Sequence, residues 1–324
     1  MDVDALRTFI TIHRAGGVTR AAAALFRSQP AVSRRLGLLE KQLGIPLFER
    51  VTGGVVLTEA GRTLLPFAEA VLAALQDAEA AVQAVQSGDR GRVTMALVGT
   101  LASTSLTSVL RRFAQRHPKV RLTLRTATSH EVSDLVRRSE VTLGLRYSKD
   151  PAPELHCETL FSEQLVVAAA TDHPLVSTGC DGLSALAGEQ WIAFPELPGR
   201  PEASAAYVRR ALGAAGVADA QILRIDSLTA QKRLVEAGFG IALLPDSSIQ
   251  EELSAGSLAV LDIKELEVRV PVTVVTRSKG YLGAAAHALL EELRLAAGGV
   301  SMLKAPARRR PRSRPRRGQS GVNR

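Results

Sequence analysis

The chain has 324 residues, 46% of them hydrophobic, which is enough for two or three compact units. Its net charge of +9 points to a polyanionic partner, yet nine basic and no acidic residues fall in Lys304–Arg324, and without that segment 32 basic residues balance 32 acidic ones. Cys157 and Cys180 are too few for a disulfide framework, no Cys/His cluster has zinc spacing, and no apolar run reaches the ~18 residues that cross a bilayer. No export signal is legible at the start, so a reduced, cytoplasmic protein without a membrane partner is expected.

Leu6, Phe9, Ile10 and His13 share one face of a first helix that begins near Asp4. Val18 to Leu39 then reads as two short helices around a tight turn. Thr19 suits the N-cap of an alanine-rich run from Arg20 to Leu25, where helix propensity is near its best. Ser28 can cap the next helix, which tolerates Pro30 only within its first turn. On that helix Val32, Leu36, Leu39 and Leu43 form an apolar stripe. Pro30, Ser33, Arg34, Gly37 and Lys41 fall on the opposite side, short or cationic and without a carboxylate. Such a helix can be held by its back while its front approaches a phosphate-lined groove, which is helix-turn-helix chemistry. Gln29 can pair with adenine, Arg34 with guanine or phosphate, and Ser33 with phosphate, whereas Arg35 reads equally as a solvated charge. A hairpin over Val51–Leu57, turned by Gly53-Gly54, follows as a wing.

Thr58 caps a long helix, and Glu59 suits the positive end of its dipole. Leu64, Ala68, Val71, Leu75, Ala78, Val82 and Val85 alternate four- and three-residue steps, a heptad seam made to pair with another helix. Pro66 is expected to bend this helix near its start, and Ser87-Gly-Asp-Arg-Gly91 reads as a hinge. From Arg92 strands and helices alternate. Strands are expected at Val93–Val98, Val120–Leu124 and Val141–Leu145, with helices running to His117 and Arg138, which predicts a parallel sheet covered on both faces. A second set comprises strands at Leu165–Ala170, Trp191–Phe194, Ile222–Ile225, Ile241–Pro245 and Leu258–Ile263, and helices at Ala203–Ala215 and Leu228–Ala237. Crossovers fall near Thr159–Gln164 and Lys264–Val268. Val268–Thr276 returns to the first sheet and Tyr281–Leu295 closes it.

Open α/β sheets bind ligands beyond the carboxyl ends of their strands. That rule selects Thr100, Ser103 and Thr104, then Thr128 and Ser129, then Arg146, Phe194 and Asp226. Hydroxyls and N–H groups ahead of a helix can hold an anion, or merely cap it, and Arg146 is the natural counter-charge for a carboxylate or phosphate. An anionic effector is therefore expected. The Gly238-Phe-Gly240 pair reads as a helix-to-strand turn, because a helix precedes it. The segment from Lys304 cannot bury a core and reads as a disordered arm, solubilising or bound to DNA phosphates.

AGGVTRAAAAL, SQPAVSRRLGLLEKQLG, PLFER and LTEAG, in that order within residues 1–66, resemble the N-terminal domain of LysR-type transcriptional regulators. RRFAQRHPKVRLTLR and LVEAGFGIALLP resemble the effector domain of the same family. The resemblance implies an α/β chain with an N-terminal winged helix-turn-helix, a long linker helix and a two-lobed periplasmic-binding-protein-like effector domain. The expected divisions are a DNA-binding domain over 1–57, a dimerisation helix and hinge over 58–90, an effector domain over 91–300 and a basic tail over 301–324. Lobe one takes about 91–161 and 268–297, and lobe two about 162–267. By the same resemblance Ser28, Gln29, Pro30, Ser33 and Arg34 contact double-stranded DNA in a homodimer or homotetramer. Closure of the lobes around a small-molecule effector then repositions the heads and alters polymerase recruitment. Two places depart from the family pattern. VTGGVVL carries no Arg or Lys in the wing, which leaves Arg50 and Thr52 as the nearest donors, and Thr142 stands where an aspartate is frequent, a change expected at the cleft edge. No catalytic set, metal site or cofactor is expected. An α/β enzyme and a solute-binding protein without a transcriptional role remain the alternatives.

Overall fold

The computed structural model describes residues 1–87, 91–102, 104–180, 182–197, 200–201, 209, 213, 221–263 and 268–298. Helix α1 (Val3–Ala15) starts where the Asp2 carboxylate accepts the Ala5 N–H and ends at Gly16, whose φ of 65° suits glycine. It buries Leu6, Phe9, Ile10 and also Ile12, while His13 is only half-buried. α2 (Val18–Ala24) begins after Gly17, so Thr19 lies inside the helix instead of capping it. α3 (Gln29–Leu43) begins at Ser28, whose Oγ accepts the Ala31 N–H at 3.4 Å, with Pro30 in the first turn as expected. Val32 packs with Ile12, Ala21 and Ala22, and Leu39 with Phe9 and Leu47. Leu43, placed in the apolar stripe by its spacing, is 40% exposed because α3 has by then run past the other helices' contacts.

Strands β1 (Phe48–Val51) and β2 (Gly54–Leu57) form the wing. The turn is Thr52-Gly53, with Gly53 at φ 94°, and not Gly53-Gly54. Gly54 answers a different need: a Cβ there would lie 2.4 Å from the Gly16 carbonyl oxygen, so the wing can approach the end of α1 only without a side chain. α4 (Glu59–Ser87) is capped by Thr58, whose Oγ1 accepts the Gly61 N–H at 3.1 Å, and it continues through Pro66. Leu64 and Ala68, expected to open the dimer seam, pack into the α1 core instead. Beyond them Phe67 (66% exposed), Val71, Ala74, Ala78, Val82 and Val85 form one exposed stripe at helical spacing.

In the next unit β3 (Arg92–Val98) lies between β4 (Arg121–Ala127) and β5 (Leu143–Tyr147), parallel to both. α5 (Thr104–Arg116) and α6 (Ser129–Arg137) provide the crossovers. Gly144 lets α6 close on β5, since a Cβ there would meet Val132 at 2.6 Å and Val136 at 2.9 Å. The sheet is mixed rather than all parallel. β6 (Leu155–Ala170) and β13 (Val268–Arg277) run antiparallel to each other along the whole of β13, with one irregularity between Val272 and Thr273. The strand expected at Leu165–Ala170 is thus the end of β6, and the first crossover is the middle of one continuous strand.

Those two strands carry the second unit. α7 (Pro174–Thr178), β7 (Trp191–Ala193), the short pair β8 (Glu196–Leu197) and β9 (Arg200–Pro201), and β10 (Ile222–Arg224) come first. They are followed by α8 (Leu228–Glu236), β11 (Ala242–Pro245), α9 (Gln250–Ala255) and β12 (Leu258–Leu261). β11 and β12 both pair with β6, and β10 pairs parallel with β7. α10 (Ala284–Gly298) closes the first unit. Gly238, at φ 76°, turns the chain from α8 toward β11, as its sequence suggested. The predicted helix over 203–215, most of the hinge over 87–91, residues 264–267 and the tail fall wholly or largely outside the described residues. Among those described, no helix is long and apolar enough to cross a membrane.

Candidate nucleic-acid interface and effector cleft

On the head, Gln29, Pro30 and Arg34 are exposed and Ser33 is half-buried on the outward side of α3, with Gln29 Nε2 donating to Ser33 Oγ at 3.2 Å. Arg50 and Thr52 are exposed on the wing. Neighbouring cations are occupied: Arg7 and Arg35 each meet Asp4 at 3.4 Å, and Arg20 donates to the Ala15 and Gly16 carbonyls at the end of α1. Arg35 therefore braces α3 on α1. Arg27, Arg34, Lys41 and Arg50 remain as exposed cations around a face without a carboxylate of its own.

The cleft candidates divide. Thr100, in the 3₁₀ turn that follows β3, is buried and donates to the Tyr147 hydroxyl at 3.0 Å. Tyr147 ends β5 and donates to Glu163 Oε2 at 3.3 Å, and Ser247, just past β11, donates to Glu163 Oε1. The carboxyl ends of β3, β5 and β11 thus meet at one side chain of the long strand β6. Glu163 is 5% exposed, and burial pushes its carboxyl pKa up, opposed by bonds from Ser247 and Tyr147. Tyr147, Glu163 and Ser247 were missed in the sequence. Tyr147 directly follows a selected strand end, whereas Glu163 lies inside a strand and carried no signal.

Arg146 is already engaged by neighbouring groups. Its Nη1 lies 2.6 Å from Asp150 and 2.6 Å from Ser133 Oγ, and its Nε donates to the Tyr147 carbonyl. Thr128 caps α6 in a reciprocal box with Glu131, the bland alternative for such a hydroxyl. Ser129 is buried, Phe194 half-buried past β7, and Asp226 exposed ahead of the α8 cap Ser227. Ser103 and the Thr104 side chain lie outside the described residues. Thr142 sits at the amino end of β5, where its Oγ1 meets Thr94 Oγ1 at 3.2 Å, and so it stands at the opposite end of the strand from the proposed cleft. Among the described residues no group of three or more His, Cys, Asp or Glu is placed to hold a metal ion.

Residues 3–62 match the model of the bacterial regulatory helix-turn-helix proteins of the lysR family, and residues 86–298 match the LysR substrate binding domain. The chain belongs to the LysR family of transcriptional regulators. This LysR-type chain is 29% identical over 286 residues to the RuBisCO operon transcriptional regulator of Allochromatium vinosum, covering 88% of the chain and 93% of the relative. It is 30% identical to the regulator CfxR of Cupriavidus necator, covering 80% of each. Among solved structures, the LysR family regulator CbnR matches with a TM-score of 0.60 and 26% identity, over 92% of this chain and 99% of that one. CbnR complexed with its target DNA matches at 0.59 and 25%, over 91% and 100%. The relatives are transcriptional regulators, so the enzyme and solute-binding alternatives fall away.

Proposed function

We propose that residues 1–57 read operator DNA, that residues 58–90 pair two copies of the chain, and that an effector binding within residues 91–300 moves the heads relative to one another. Lobe one covers about 91–161 and 268–297, and lobe two about 162–267. Ser28, Gln29, Pro30, Ser33 and Arg34 enter the major groove, and Arg50 and Thr52 meet flanking phosphate. The observation that carries this reading is the outward face of α3, which leaves Gln29 and Arg34 exposed while Val32 and Leu39 anchor its back. The exposed stripe Phe67–Val85 on α4 supports homodimerisation, with pairing of dimers as the next level of assembly. RNA polymerase is the downstream partner, and the cytoplasm is the compartment that this role requires.

The effector is a small anion held at Thr100 and the neighbouring strand ends. Arg146 no longer supports that assignment; the convergence of hydroxyl groups from both lobes does. The double variant Gln29→Ala/Arg34→Ala tests the DNA reading. It should lose discrimination between operator and random duplex while its thermal stability stays unchanged. Equal discrimination by wild type and variant would count against the groove assignment.

A further inference from the structure

Resting on the effector-cleft reading, we propose that the Glu163 carboxylate occupies the hydrogen-bond donors that an anionic effector needs, and that such an effector binds with uptake of one proton by Glu163. Three hydroxyl hydrogen bonds lead to this residue, two of them in a chain. Thr100 Oγ1 donates to Tyr147, Tyr147 donates to Glu163 Oε2, and the Ser247 hydroxyl and backbone N–H both serve the same carboxylate. The first two donors belong to lobe one, and Ser247 to lobe two. Glu163 is thus an internal stand-in for a ligand carboxylate or phosphate, gripped from both sides.

A second anion arriving at Thr100 meets spent donors and a buried negative charge. Among the described residues, the groups named as facing Glu163 bring no cation to it. Tyr147 comes from β5, Ser247 and Asp246 from the turn after β11, Thr100 from the turn after β3, and Val270 lies opposite in β13. Asp246 adds negative charge, and Arg146 is held by Asp150 and Ser133. Two ionised groups sharing a buried site destabilise each other, so one of them takes a proton. Protonation also reverses the chain. The Glu163 O–H donates to Tyr147, Tyr147 to Thr100, and Thr100 to the incoming anion, while the Ser247 donors come free for the same ligand.

The test is calorimetric titration of the full chain with oxalate and with sulfate, both fully ionised between about pH 5.5 and 8.5, in two buffers of different ionisation heat. In the limb above the Glu163 pKa, wild type should take up one proton per anion bound and lose affinity about tenfold per pH unit. Glu163→Gln, which cannot ionise, should bind without proton uptake, with a flat pH profile and at least about tenfold tighter at the alkaline end. Tyr147→Phe should bind more weakly yet keep the proton uptake, which separates the proton acceptor from its donor. Equal pH profiles in wild type and Glu163→Gln, or binding without proton uptake in wild type, would overturn the proposal and leave the cleft reading standing. Failure of both anions to bind either protein at any pH would overturn the anion-binding reading as well. Should Glu163→Gln not fold, the wild-type proton count decides alone.

Discussion

Arg138 Nε lies 2.8 Å from Oε1 of Glu69, a contact that ties the end of α6 to the linker helix. Arg14, at the end of α1, reaches the same oxygen at 3.3 Å, so one carboxylate, 8% exposed in its residue as a whole, joins head, linker and effector domain. Glu140 adds Arg14 at 3.0 Å and Arg125 at 3.5 Å. Two turns further along α4, Asp77 pairs with Arg277 and accepts the Tyr281 N–H at 3.0 Å. Helix α4 is therefore fastened by charge at two points, to the head through Arg14 and to the following unit through Arg138 and Arg277.

Glu69→Gln should destabilise the chain by about 1–3 kcal/mol, because it strands two cations whose partial exposure tempers the loss. Urea denaturation of Glu69→Gln, Arg138→Met and the double variant measures the pair. Additivity of the single effects to within ~0.3 kcal/mol would show that the two side chains do not cooperate.

Arg146→Gln should act on stability rather than on effector recognition. Burial opposes ionisation of Asp150, but bonds from Ser133 and the Ala152 N–H, together with the charges of Arg146 and Arg137, outweigh it and hold the carboxyl below its ordinary value. A depressed pKa contributes stability above the unfolded value that is lost as pH falls through the folded one. In melting curves taken against pH, the acid limb of Arg146→Gln should accordingly be shallower than that of wild type, because a folded pKa closer to the unfolded one leaves less stability to lose as pH falls. Superimposable limbs would mean that Arg146 does not sustain this ionisation.

Glu163 titrates in the opposite sense. Burial raises its pKa, so its stabilising effect is complete below the ordinary carboxylate value and declines as pH rises through the folded value. The melting temperature of wild type minus that of Glu163→Gln should therefore fall with rising pH. A difference that grows with pH would show the carboxylate, not the acid, to be the favoured form.

Gly54→Ala should displace the wing, since the new Cβ would stand 2.4 Å from a backbone oxygen that cannot give way. A loss of about 1–3 kcal/mol is expected, together with weaker operator binding. Gly53→Ala strains only the turn, where nothing lies within 4 Å, and should cost less. If the two variants melt alike, the close approach is not what requires glycine.

The head was largely legible because its signals are local: Ser28 precedes an apolar stripe by a fixed interval, and Thr58 does the same for α4. Sheet strands were found from their apolar runs, but only the last six residues of β6, Leu165–Ala170, were legible, since they are apolar throughout while Leu155–Gln164 mix polar and apolar side chains. The cleft was half legible. Thr100 follows a strand end that the α/β rule selects, whereas Glu163 meets Tyr147 and Ser247 only after the chain has crossed between lobes. Arg146 misled for the same reason in reverse. Its charge was visible, but the pairing with Asp150 depends on the turn between them.

The stripe from Phe67 to Val85 sets a condition on the amount of protein as well as on its shape. Apolar surface that a second copy covers in the proposed dimer links the paired, DNA-competent population to copy number through mass action. When few chains are present, operator occupancy falls more steeply than dilution alone would give, so the rate at which a cell makes this regulator becomes a second signal beside the effector.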